Sequence, residues 1–207
     1  MNVKEKSSLL HRNTLGVLGM LLPVLSIVGG LFVQNKVDSW WYSISVTYYI
    51  TPVLPVILGA CAIFFMCYRS YETIDTVINI LSGIFAMGVV LFPCANPYGI
   101  ENVGFFQIPA NVSNIIHTSC AVLLFVFLAY NIGFLFTKGN SKKRNLIYRI
   151  CAIIMTVVMV IFAVAMILQN FTDVIPGWIV VVVETILLFA FGIAWLTKGR
   201  AIFKNLD

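Results

Sequence analysis

The sequence predicts an all-α membrane bundle of six transmembrane helices with both termini on the cytoplasmic side. Three observations carry that prediction. Of 207 residues, 60% are hydrophobic and only 10% charged, against about 25% charged in soluble domains. The apolar residues gather into six stretches near the ~20 residues that cross a ~30 Å hydrocarbon core. The basic residues fall almost wholly on one side of those stretches, as in membrane topology. The polar intervals are short, so residues 1–207 read as one transmembrane domain.

The first stretch, 15–33, follows Lys4, Lys6 and Arg12. It is longer than the apolar core of a signal peptide and lacks a small-residue cleavage site, so it reads as a retained helix. The second, 52–68, is the shortest and carries Pro52 and Pro55 in its first turn, where proline is tolerated. The remaining four cover 74–92, 112–136, 146–168 and 178–196. With this division, twelve of the 13 Lys and Arg residues lie on one side and Lys36 alone on the other. An odd number of spans would break that alternation.

The outward segments are then 34–51, 93–111 and 169–177, the last holding Asp173. Trp40, Trp41, Tyr42, Tyr48 and Tyr49 crowd the first; such rings favour the headgroup level. That loop is expected along the outer interface or folded over the bundle mouth. Small residues at Gly19, Pro23, Ser26 and Gly30, and at Asn79, Ser82, Gly83 and Ala86, mark two helix-contact faces. Four of the five cysteines fall in apolar stretches, where a thiol packs as a small hydrophobe. A Cys94–Cys120 bridge is the one disulfide that invites consideration.

Ionisable groups inside a bilayer are costly and ask for a partner. His117 and Glu184 both sit roughly 10 Å below the outer interface at 1.5 Å per residue. They are expected to form a structural pair or to line a polar cavity beneath the first loop. Alternatively His117 is a packing histidine bonded to a backbone carbonyl or to a serine, with Ser113 one turn away on the same face. If Ser45 joined them, His117 would act as base and Glu184 would orient it, a hydroxyl-nucleophile arrangement. No G-x-S-x-G elbow supports this. Candidate catalytic residues are therefore His117, Glu184 and Ser45. Candidate ligand-binding residues are Tyr48, Tyr49, Trp41, Asn79 and Ser82. Glu72 and Asp75 are expected to be solvated beside Arg69, and the run Lys142, Lys143, Arg144 reads as a topology signal.

No cofactor is indicated. Only two histidines occur, His11 and His117, on opposite sides, so a three-histidine zinc site cannot be assembled. The net charge of +5 lies in short flanking segments and forms no basic face with stacking aromatics, which argues against nucleic acid.

The phrases "SISVTYYITPVLPVILGACAIFFMCYRSY", "GVVLFPC", "IIHTSCAVLLFVFLAYN" and "ETILLFAFGIAWLTKG" occur in this order along most of the chain. They resemble the DUF998-type family of bacterial multi-pass membrane proteins, similar in helix number to the Frag1/DRAM/Sfk1-like group. The resemblance implies a six-helix bundle and singles out Ser45, Tyr48, Tyr49, Pro93, His117, Glu184 and Trp195. It implies no reaction. The expected function is binding of membrane lipid or a small amphiphile in an outward-facing cavity of the cell membrane. A lipid hydrolase or transferase is the first alternative, and a small proton-coupled transporter using Glu184 the second.

Overall fold

The computed structural model describes residues 3–70, 72–169 and 176–204. Six α-helices carry the chain: α1 Val3–Leu31, α2 Val53–Cys67, α3 Thr73–Leu91, α4 Ala110–Tyr130, α5 Lys142–Gln169 and α6 Ile179–Lys198. Each overlaps one predicted stretch, and five are long and apolar enough to cross a membrane. The exception is α2, whose 15 residues measure about 22 Å. It is preceded by a 3₁₀ turn, Ser45–Tyr49, around which Ile44, Thr47 and Thr51 are buried. Irregular backbone that is buried needs its polar groups bonded. Here Thr47 donates its hydroxyl to the Ile44 carbonyl at 2.6 Å, and the N–H groups of Thr47, Ile50 and Thr51 bond carbonyls within the same segment.

α1 begins well before residue 15. A hydropathy count sees only the apolar part of a helix, whereas the backbone ladder continues through the polar turns. Those turns are anchored: His11 Nε2 donates to the Phe64 carbonyl at 2.7 Å, and Arg12 Nε donates to the Tyr68 hydroxyl at 2.9 Å.

The helices pack in chain order, and α6 returns to α1, so the bundle closes as a ring; α4 and α6 touch little across it. The small-residue faces mark close approaches. A Cβ at Gly16 would lie 2.7 Å from Leu196 Cγ, and one at Gly83 would lie 2.7 Å from the Ala62 carbonyl oxygen. Gly30 leaves room for the buried ring of Trp40. On α3, Asn79, Ser82, Gly83 and Ala86 are all buried.

α4 runs on through a π turn, Asn131–Leu135, and a 3₁₀ turn, Phe136–Lys138. At the π turn Asn131 Nδ2 donates to Asn79 Oδ1 at 2.9 Å, and Asn79 Nδ2 donates to the Asp75 carbonyl at 2.6 Å. Glu72 is exposed, as expected, whereas Asp75 is largely covered. Both pair with Lys138, the Asp75 contact at 3.0 Å, because the end of α4 comes down beside the start of α3. The 93–111 segment holds a two-stranded antiparallel hairpin that the sequence did not announce, β1 Asn102–Val103 against β2 Ile108–Pro109. Cys94 and Cys120 are free thiols. Asp173 lies outside the described residues.

α5 stands apart. Its buried residues, Tyr148, Cys151, Ala152 and Met155, all lie in its first half, and from Val157 to Leu168 none is buried. In that second half Val158, Met159, Phe162 and Ala165 are half-buried and the other apolar residues are exposed, a surface that suits lipid rather than water as its solvent.

Candidate functional site

Glu184 occupies the second turn of α6, facing the first loop. The sequence Ser43-Ile44-Ser45 sets two hydroxyls on either side of one backbone N–H, and all three converge on the carboxylate. The Ser43 hydroxyl donates at 2.9 Å and 3.1 Å to the two oxygens. Ser45 donates its hydroxyl at 2.7 Å, and the Ile44 N–H donates at 2.6 Å. Ser45 also donates its N–H to Ser43 Oγ at 3.0 Å, which fixes the donor geometry. An ionised carboxylate accepts at about four lone-pair positions; this cradle supplies three donor hydrogens, that of Ser43 shared between the two oxygens. Ile44 turns its own side chain into the core, 2% exposed. A second tie, the Val181 N–H to the Tyr42 carbonyl at 2.8 Å, holds the loop against α6.

Below the cradle lies a cavity in which water-sized spheres find about 70 Å³ of room. α1, α2, α3, α4 and α6 contribute to its wall, and α5 does not. Leu22, Leu58, Phe65, Leu124, Leu188 and Phe191 give its character; Ser45 and Glu184 are the polar side chains on it. One water needs roughly 10–15 Å³ by this measure, so the space suits the end of an alkyl chain and is too small for a whole lipid.

His117 lies elsewhere. It is buried in the third turn of α4, and its Nδ1 donates to the Phe92 carbonyl at 2.8 Å. Ser113, one turn earlier, donates to the Pro93 carbonyl at 2.8 Å. Together they satisfy carbonyls left without helical partners at the end of α3. Among the described residues no hydrogen bond joins His117 to Glu184 or to Ser45. A serine-histidine-acid relay needs the imidazole between hydroxyl and carboxylate, whereas the Ser45 hydroxyl reaches Glu184 directly. Matching depth did not bring the two ionisable groups together.

The aromatic loop acts as scaffold around the cradle. Tyr49 donates its hydroxyl to the Cys94 carbonyl at 2.7 Å, tying the first loop to the second, and burial pushes its phenol above the usual range. Tyr48 meets the Tyr49 ring edge-on at 5.4 Å. Burial, with Glu184 acting second, pushes the Cys94 thiol up to about 12. Trp41 is 41% exposed and packs edge-on against Tyr42. Ser82 donates back to the Ile78 carbonyl at 2.8 Å, and Asn79 is bonded as above. Of the expected site residues only Ser45 and Glu184 line the cavity; Tyr48, Tyr49, Trp41, Asn79, Ser82 and His117 do not.

Sequence reasoning missed the Ile44 N–H and the leucine and phenylalanine walls. The Ser-Ile-Ser alternation was the one available signal for the cradle. A backbone donor leaves no trace in sequence, and the wall residues are indistinguishable from any other apolar helix face. Among the described residues no group of three or more His, Cys, Asp or Glu side chains gathers as a metal site. No protein-family model, curated protein or solved structure matches this chain.

Proposed function

We propose that this chain is a DUF998-like integral protein of the cell membrane, crossing it six times with both termini in the cytoplasm. In this reading it holds the chain end of a lipid, or a small amphiphile, in the cavity under Glu184. One observation carries it: the cavity is apolar throughout except at the end where Ser45 and Glu184 stand. An amphiphile needs that asymmetry, an alkyl part among leucine and phenylalanine and a polar part at the carboxylate cradle. The placement of twelve of the 13 basic residues supports the orientation. The hydrolase alternative lacks an imidazole at the Ser45 hydroxyl, and no observation favours transport.

Native mass spectrometry of gently extracted protein is expected to show a retained lipid or amphiphile. Ala121→Phe, which fills the cavity wall, should release it while the protein stays folded; Glu184→Gln should weaken retention. A bundle that emerges empty, or one that keeps the same ligand in Ala121→Phe, defeats the proposal. Orientation has its own test. Cys67 is the one exposed cysteine of the five and lies at the basic end of α2. A membrane-impermeant maleimide should label it in inside-out vesicles and leave it untouched in intact cells.

A further inference from the structure

The far end of the bundle holds a second, unrelated recess. A cleft of about 750 Å³, by the same water-sized measure, opens between the start of α1, the α2–α3 turn and the residues following α6. Arg12, Arg69 and Arg200 reach it from those three elements, with the hydroxyls of Ser7, Ser8 and Ser70 between them. We propose that this cleft binds a phosphate-bearing headgroup.

The first support is the choice of cation. Topology is indifferent to whether the positive residue is Lys or Arg. Yet three of the five arginines line this cleft and no described lysine does, although the chain holds eight lysines. The planar guanidinium grips phosphate oxygens in bidentate fashion, which an ammonium cannot do.

The second support is the state of those arginines. Among the described residues Arg69 and Arg200 make no ion pair, and Arg12 spends one N–H on the Tyr68 hydroxyl, leaving the rest of its fork. The nearby acids are already engaged, since Glu72 and Asp75 both pair with Lys138. Among the described residues Glu5 is the single carboxylate on the cleft, and it bridges to none of the three.

The third is local strain. Arg200 holds φ +57° just past the end of α6, where the Ala201 N–H closes back on the Leu196 carbonyl. That left-handed position ordinarily belongs to glycine. The neighbouring Gly199 is committed instead to close contact with Asn13. An arginine is thus kept where it strains the backbone, at the mouth of a cleft that gains a cation by it.

The test uses the full-length protein in phosphatidylcholine nanodiscs, titrated with short-chain phosphatidic acid, with glycerol phosphate and with inorganic phosphate. Saturable binding is expected, weakened roughly tenfold or more by Arg69→Gln and by Arg200→Gly, the loss of one charge-assisted contact. Arg200→Gly also relieves the strain, so it should raise the melting temperature while binding falls, which separates a lost site from a lost fold. Arg69→Lys should not restore wild-type affinity. The double variant Lys142→Gln/Lys143→Gln should bind as wild type. Binding of phosphatidic acid alone identifies a lipid headgroup; equal binding of glycerol phosphate identifies a soluble phosphate ester. Equal affinity in Arg69→Gln and Arg200→Gly, or an equal loss in the lysine double variant, reduces the effect to diffuse charge and overturns the proposal.

Discussion

The two ends of the bundle solve the same electrostatic problem by opposite means. At the loop end, one carboxylate inside the bundle is met by neutral dipoles, two hydroxyls and a backbone N–H. At the basic end, Glu72 and Asp75 are met by a full opposite charge, Lys138, on side chains that reach solvent. Neutral donors can be held rigidly and bring no second charge to desolvate, whereas exposed ion pairs are screened and contribute little. The difference teaches that the loop end is where stability and specificity are stored, and the basic end is where charge stays available.

The sharpest way to break that comparison is Glu184→Ala. It leaves the Ser43 and Ser45 hydroxyls and the Ile44 N–H without an acceptor, and should cost about 3 kcal/mol, read from thermal unfolding in detergent. A loss well under 1 kcal/mol would mean the cradle is ornamental. Gly30→Leu comes next, at about 2 kcal/mol, because the new side chain must displace the Trp40 ring. Its readout is the Trp emission shift together with the melting temperature. The Asn79–Asn131 bond is smaller, about 1 kcal/mol within a membrane bundle. Each single change to leucine should cost more than its half share, and the double change should cost less than the sum of the singles in a double-mutant cycle. At the bottom stands Lys138→Gln, expected to leave the melting temperature unchanged. A drop matching that of Glu184→Ala would erase the contrast between the ends.

Glu184 illustrates how far the sequence could be read. An acid in an apolar stretch demanded a partner, and the hydroxyls of Ser43 and Ser45 stood in the adjoining loop, so two of its donors were within reach of inference. His117 made the same demand and answered it elsewhere, at the carbonyl of Phe92. Depth along a helix can be counted from residue spacing; the direction a side chain faces around the bundle cannot. The ring order sets α6 between α1 and α5, and α4 between α3 and α5, and that order sent the imidazole to α3 rather than to α6. The 93–111 hairpin escaped notice because two-residue strands are too short to show alternation. Lys138 escaped because an ion pair across 63 residues has no local signature.

By itself the sequence determined the helices, the extents of their apolar parts, the segments in which charge collects and the faces where helices touch. These follow from local quantities: apolar length, positive-charge placement and small-residue spacing, each readable one segment at a time. The tertiary structure decided which polar group meets which, that the first loop folds back to cradle Glu184, and that five helices leave an apolar space beneath it. Those outcomes depend on contacts between residues far apart in the chain, such as Ser45 and Glu184, whose meeting is settled by packing.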